Sequence, residues 1–300
     1  MPQSECLGKL ITETNNPQTQ HIDELDTLSM ITLINEQDYF VLDAIKKELP
    51  NIAIAVDKIT ESFNNKGRLF YFGAGTSGRL GVLDASECPP TFGTDKEMVQ
   101  GFIAGGDFAL RNPVEGAEDS FEDGQEIVKS ININENDVVV GIAASGRTKY
   151  VLGAIEMAKS LGAYTVGVCN NPNTLLHQAC DITIAPVCGA EVIQGSTRMK
   201  SGTAQKLVLN MLTTASMVKI GKVYKNYMVD MSPCNEKLID RAIRLVIEIT
   251  GADYETAENA LKLCGYHVKT AIVMILNDCD YETAVKKLQQ AGGFVKKALN

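Results

Sequence analysis

Three hundred residues carry 28 basic and 37 acidic side chains, a formal charge of -9 with the histidines neutral. Such a charge repels nucleic-acid backbone and anionic lipid, so neither nucleic acid nor membrane is an expected partner and a small molecule is. The length suits one large domain or two smaller ones, with core enough to fold without staples.

The amino-terminal stretch MPQSECLGKL has no apolar core flanked by basic residues and does not read as a signal peptide. From Asp23 to Asn65 the pattern is helical, with Leu33, Phe40, Leu42, Ile45, Ile52, Val56 and Ile59 interleaved with charge. Pro50 marks a candidate break into two helices. Residues 1–55 are taken as an N-terminal helical segment whose role is packing.

From Arg68 to Gly221 strand and helix alternate. Leu69–Phe72, Val99–Ala104, Val138–Ala143, Thr165–Cys169 and Ile182–Val187 are short Val- and Ile-rich runs, as parallel strands buried on both faces should be. Between them, Val151, Leu152, Ile155 and Ala158 mark one helix face, and Ala204, Leu207, Val208, Met211, Leu212 and Ala215 another. The alternation predicts an α/β fold, a doubly wound parallel five-stranded sheet, spanning residues 56–221. Gly221 to Lys237 is a connector. Leu238–Thr250, Glu255–Cys264, Val268–Leu276 and Tyr281–Ala291 then read as short amphipathic helices. The last three, within 238–300, resemble the ubiquitin-associated type of three-helix module, a likeness that implies packing and no ubiquitin.

In an open α/β sheet, ligands lie beyond the carboxyl ends of the strands. Three loops there share one composition: Gly73-Ala74-Gly75-Thr76-Ser77-Gly78-Arg79, Ala144-Ser145-Gly146-Arg147-Thr148, and Gly195-Ser196-Thr197-Arg198-Met199-Lys200-Ser201-Gly202-Thr203. Ser and Thr cap helices for purely structural reasons, which explains any one of these loops well and three at one sheet edge less well. The first is not a Walker loop, since no Gly-Lys-Ser/Thr closes it. Together the loops imply a pocket of amides and hydroxyls suited to a phosphomonoester and its sugar. Thr76, Ser77, Ser145 and Thr148 are assigned to the phosphate, Ser196 and Thr197 are added to them, and Gly75 and Gly146 supply backbone.

Two acidic segments stand near this edge, Asp84-Ala85-Ser86-Glu87-Cys88-Pro89-Pro90-Thr91 and Pro113-Val114-Glu115-Gly116-Ala117-Glu118-Asp119. By residue type, Asp84, Glu115 and Asp119 read as helix-dipole partners or solvated carboxylates. Glu87 sits where Cys-Pro-Pro is expected to turn the chain away; partial burial there would keep it protonated, as a general acid requires. Glu118, near a helix N-terminus, is expected to stay ionised and to serve as a base.

These blocks, with Gly202-Thr203-Ala204-Gln205-Lys206 and Asn235-Glu236-Lys237-Leu238, make the chain resemble the N-acetylmuramic acid 6-phosphate etherases, a family of the sugar isomerase (SIS) domain superfamily. The likeness covers nearly the whole chain. It departs at Lys149, where the family usually has proline, and at Ser232-Pro233-Cys234. It implies cleavage of a D-lactyl ether from a sugar phosphate, with Glu87 as proton donor to lactate and Glu118 as the base at C2. Glu115 joins the substrate-binding residues, and Lys206 or a main-chain N–H is a candidate for the developing oxyanion.

No cofactor is implied. The eight cysteines form no CxxC pair, and His21, His177 and His267 lie far apart in sequence. The cysteines suit a reducing, cytoplasmic setting. A sugar-phosphate isomerase would need the same C2 chemistry without an acid at C3. A non-catalytic sensor like the vertebrate glucokinase regulatory protein would carry two SIS domains, whereas one set of loops is present. One set per chain suggests pairing into a homodimer.

Overall fold

A computed structural model describes residues 8, 10–231, 233 and 235–299. The amino-terminal residues 1–7, and Ser232 and Cys234 of the departing tripeptide, lie outside the described residues. The chain divides into two compact units, Met1–Ser86 with Glu97–Leu212, and Glu87–Lys96 with Thr213–Asn300.

The first unit opens with 3₁₀ turns between Ile11 and Glu24, followed by α1 (Thr27–Asn64). Asp26 caps α1 by accepting from the amides of Leu28 and Ser29. The helix runs through Pro50 without a break, contrary to the expectation from the proline. Pro50 and Lys46, whose carbonyl loses its donor, are both exposed, so water can satisfy that carbonyl.

Then come β1 (Leu69–Gly73), α2 (Gly75–Phe92), β2 (Val99–Ile103), α3 (Phe108–Arg111), α4 (Phe121–Ser130), β3 (Val138–Ile142), α5 (Lys149–Ser160), β4 (Tyr164–Val168), α6 (Leu175–Ala179), β5 (Ile182–Ile184) and α7 (Lys200–Lys219). The five strands form one parallel sheet in the order β2-β1-β3-β4-β5. Each is apolar because both faces are covered; Phe70, Phe72, Val139, Val151, Ala154 and Ile155 pack into one of the resulting cores. The fifth strand stops at Ile184, short of the expected Val187, because Pro186 has no N–H for a ladder.

The order reverses at β1, whose neighbours are β2 and β3. That is the topological switch point where doubly wound sheets open a crevice. Register brings the loops level: Gly73 pairs with Ile103 on one side and Ile142 on the other.

The second unit holds a hairpin, β6 (Val223–Tyr224) with β7 (Tyr227–Met228), inside the segment read as a plain connector. Five helices follow: α8 (Glu236–Thr250), α9 (Tyr254–Leu263), α10 (Val268–Leu276), α11 (Tyr281–Gln290) and α12 (Val295–Ala298). Val246, Leu261, Val268, Ile272, Ala284 and Val295 lie in their shared core. Beside it, the half-buried Asp230 carboxylate accepts from Lys269 at 2.7 Å and faces Lys222 at 2.9 Å and His267 at 3.4 Å. Burial acts to raise the Asp230 carboxyl, but His267, Lys269 and Lys222 outweigh it and hold it well below the usual carboxylate range. Burial wins at Lys269, whose ammonium is lowered despite Asp230. Asp230 has Lys222, Lys269 and His267 around it, whereas Lys269 has one carboxylate and a second lysine nearby.

Candidate active site

The carboxyl edge of the sheet collects the expected loops. After β1 the chain enters α2 almost at once, so the first-turn amides of Gly75, Thr76 and Ser77 point outward with no carbonyl a turn before them. This close approach requires glycine. A Cβ on Gly78 would stand 2.6 Å from Ile103 Cγ1 and 2.7 Å from the Gly73 carbonyl oxygen. After β3, Gly146 adopts φ +65°, and a Cβ there would meet Thr174 at 2.4 Å.

The first loop lines a cavity of about 320 Å³ together with the segment after β2. Ala74, Gly75 and Arg79 form one wall; Asn112, Glu115 and Glu118 belong to the other. Arg79 holds the two together, donating through Nε to the Leu110 carbonyl at 2.9 Å and through a terminal nitrogen to that of Ala109 at 2.7 Å. Glu118 sits in a 3₁₀ turn, Ala117–Asp119, just before Ser120 caps α4. Both Glu118 and Glu115 are exposed. Lys149, the residue that departs from proline, is the first of α5 and lies 3.7 Å from Asp119.

In the second loop the Ser145 hydroxyl oxygen accepts from the Arg147 amide at 3.2 Å. Thr148 precedes α5, yet its side chain makes no cap bond, and Arg147 Nε is buried without a partner among the described residues. The third loop differs. The buried Glu191 carboxylate accepts from the amides of Lys200 and Ser201 and from the Ser201 hydroxyl, at 2.7–2.9 Å. The positive end of α7 is thus occupied by a side chain of this protein. Ser196 and Thr197 lie in the turns before it, and Lys206 projects from α7 into solvent.

Three expectations need correction. Glu87 is exposed and belongs to the second compact unit. The turn expected at Cys-Pro-Pro does not occur, because α2 continues through Pro89 and Pro90 to Phe92. Each proline leaves the carbonyl four residues before it, Ala85 or Ser86, without its helical N–H, but both fall in the last turn, so almost no helix remains to be broken. Asp84 is buried rather than solvated, accepting from the Tyr71 hydroxyl at 3.0 Å and the Asn210 amide at 2.9 Å. Ser77 is buried, and its hydroxyl donates to Gln205 at 2.8 Å. Gln205 was quoted only as part of a motif. Asn170, the next group in that chain of bonds, carried no signal except its place just after β4.

Comparisons with known proteins agree with this architecture. The model of the glucokinase regulatory protein N-terminal SIS domain matches residues 51–159, and that of the SIS domain matches 119–215. An N-acetylmuramic acid 6-phosphate etherase of Actinobacillus pleuropneumoniae serotype 7 (strain AP76) is 58% identical over 91% of this chain and 90% of its own. N-acetylmuramic acid 6-phosphate etherase 2 of Vibrio parahaemolyticus serotype O3:K6 (strain RIMD 2210633) is 56% identical over 91% of each. The Clostridium botulinum (strain Okra / Type B1) etherase is 55% identical over 90% of this chain and 89% of its own.

Proposed function

Since the chain belongs to the N-acetylmuramic acid 6-phosphate etherase family, we propose that it is a carbon–oxygen lyase of the cytoplasm. It splits N-acetylmuramic acid 6-phosphate into N-acetylglucosamine 6-phosphate and D-lactate. The observation that carries this reading is the cavity that sets Glu115 and Glu118 against the amino end of α2, at the switch point of the sheet.

The reaction runs on the open-chain sugar. Glu118 removes the C2 proton, which is acidic because C1 is an aldehyde, and the electron pair moves into an enolate. The enolate collapses to expel lactate from C3 while Glu87 delivers a proton to the ether oxygen. Water then adds at C3 of the unsaturated aldehyde, passing its proton to Glu87, and Glu118 returns a proton to C2. The role of Glu87 rests on its match to the family motif and not on burial. Lys206 or a main-chain N–H stabilises the oxyanion at C1. Phosphate binding at the loops after β1 and β3, by Thr76, Ser145 and Thr148, orients C2 and C3 and can supply several kcal/mol of the barrier reduction.

Two chains pair as a homodimer. Supporting this, α1 exposes Leu28, Leu42 and Leu49, which share one helix face although Asn35 interrupts the seven-residue repeat, flanked by the exposed Ile31 and Tyr39. A Leu42→Glu chain that sediments at the same mass as the unaltered one would remove that support.

The activity is tested by incubating the full chain with N-acetylmuramic acid 6-phosphate and assaying D-lactate. In deuterated water, Glu118→Gln should lose both C2 exchange and lactate, whereas Glu87→Ala should keep exchange and lose lactate. Aldose–ketose interconversion without D-lactate would sink the etherase reading.

A further inference from the structure

The second compact unit contains a cavity of about 700 Å³. Its charged lining is Lys222, Asp230, His267 and Lys269, and Met231, Val285 and Leu288 add apolar surface. The volume falls in the range of small-molecule sites.

Within it, one carboxylate serves two ammonium groups. Lys269 Nζ donates to Asp230 Oδ2 at 2.7 Å, and Lys222 Nζ stands 2.9 Å from the same oxygen. Each ammonium carries three protons, and neither lysine has a further acceptor among the described residues. Lys269 is only 5% exposed, so water can reach few of its unused donors. Burial lowers its ammonium even with Asp230 beside it, and Lys222 lowers it further. The ammonium also borders open space: a Cβ added at Gly293 would meet nothing nearer than Lys269 Nζ, at 3.9 Å.

Two lysines against one aspartate leave the lining with a net positive charge, in a chain whose formal charge is -9. A monoanion balances that excess, whereas a dianion would overshoot it beside Asp230. The apolar wall adds a second requirement, since it is covered better by hydrocarbon than by water.

We propose that this cavity binds a small monocarboxylate with an apolar body, its carboxylate taken by Lys222 and Lys269 and its body by Met231, Val285 and Leu288. None of these residues has a part in the proposed reaction, so the inference stands apart from the etherase reading.

The probe is butyrate, with n-butanol as its uncharged counterpart and inorganic phosphate, in mildly basic solution, as the dianion. The readout is the imidazole NMR spectrum of the full chain, which has three histidines, and His267→Gln identifies the signal at the cavity. Butyrate should move the His267 signal saturably and leave those of His21 and His177 in place. Butanol and phosphate should need at least about tenfold higher concentrations for the same shift. Lys222→Met should weaken butyrate about tenfold, the worth of one charge-assisted hydrogen bond.

If Lys222→Met does not fold, Val285→Asp decides, because a carboxylate on the half-buried wall of α11 should abolish the shift. An unmoved His267 signal, an equal response to butanol, or full butyrate affinity in the folded variant overturns the site. Phosphate binding there more tightly than butyrate overturns the choice of a monocarboxylate. Release of D-lactate is assayed separately, and its failure would sink the etherase reading while leaving this titration able to judge the cavity.

Discussion

The loops after β1 and after β3 are made of the same residues and leave paired strands at the same level, yet their polar atoms are disposed in opposite ways. In the first, the Ser77 hydroxyl is given to Gln205 and the Arg79 guanidinium to the carbonyls of Ala109 and Leu110. In the second, the Thr148 side chain caps nothing and Arg147 Nε is buried without a partner among the described residues. An unpaired buried donor costs about 1–3 kcal/mol, and such groups persist where a ligand completes them. Composition alone says what a loop could bind. Which donors remain uncommitted says which of two similar loops has side chains left to bind with.

The glycines give the strongest test of that contrast. Gly146→Ala meets both a left-handed backbone and Thr174, and should cost about 3 kcal/mol. Gly78→Ala has no φ penalty and should cost about 1–3 kcal/mol through Ile103 and the Gly73 carbonyl. Denaturant midpoints would rank the two, and the reverse ranking breaks this account of the loops.

The arginines should part more sharply in kind, though less in size. Arg79→Met should lose about 1–2 kcal/mol of stability and reduce kcat/KM, because the Glu118 segment loses its tether. Arg147→Met should leave stability unchanged or improved while raising KM about tenfold, since only the bound state uses the group. Similar destabilisation by both would erase the contrast. Thr148→Ala should move the melting midpoint by the equivalent of about 0.5 kcal/mol or less, there being no cap bond to lose. Lys149→Pro comes last. Proline is favoured at the first helical position, and the exposed 3.7 Å contact with Asp119 is worth roughly 0–1 kcal/mol, so stability and turnover should scarcely change.

Much of the fold was legible because buried parallel strands announce themselves as Val- and Ile-rich runs, and all five appear near their expected bounds. Where the reading failed, hydrogen bonding had overridden hydrophobic pattern. Of the stripe Ala204, Leu207, Val208, Met211, Leu212, Ala215, one edge alone faces inward: Ala204, Val208 and Leu212 are fully buried. The buried face runs through Ser201, Gln205, Leu209, Thr213 and Ser216 as well, while Leu207, Met211 and Ala215 are only half-buried. Polar residues on that face look solvent-facing until their partners are known. Pro50 is exposed, so water can meet the carbonyl it leaves unpaired, and Pro89 with Pro90 fall in the last turn of α2, where little helix is left to break. At the candidate site, the first loop and Glu118, singled out from composition and from its place before α4, line one cavity; their roles are proposals. The fate of Ser77 depended on Gln205 and Asn170, far apart in sequence and joined only by folding.

Asp230 bears on how the protein meets acid. Its carboxyl titrates below its unfolded value, so the stabilisation it confers is complete above the ordinary carboxylate range and vanishes as pH falls through the depressed folded value. Once that charge is neutralised, Lys222 and Lys269 keep two positive charges with no counter-ion between them. The amides and hydroxyl that brace the sheet gain no proton over the same range. Acid below the ordinary carboxylate range should therefore loosen the C-terminal helices, seen as fast amide exchange in α10, whereas milder acid should leave them protected.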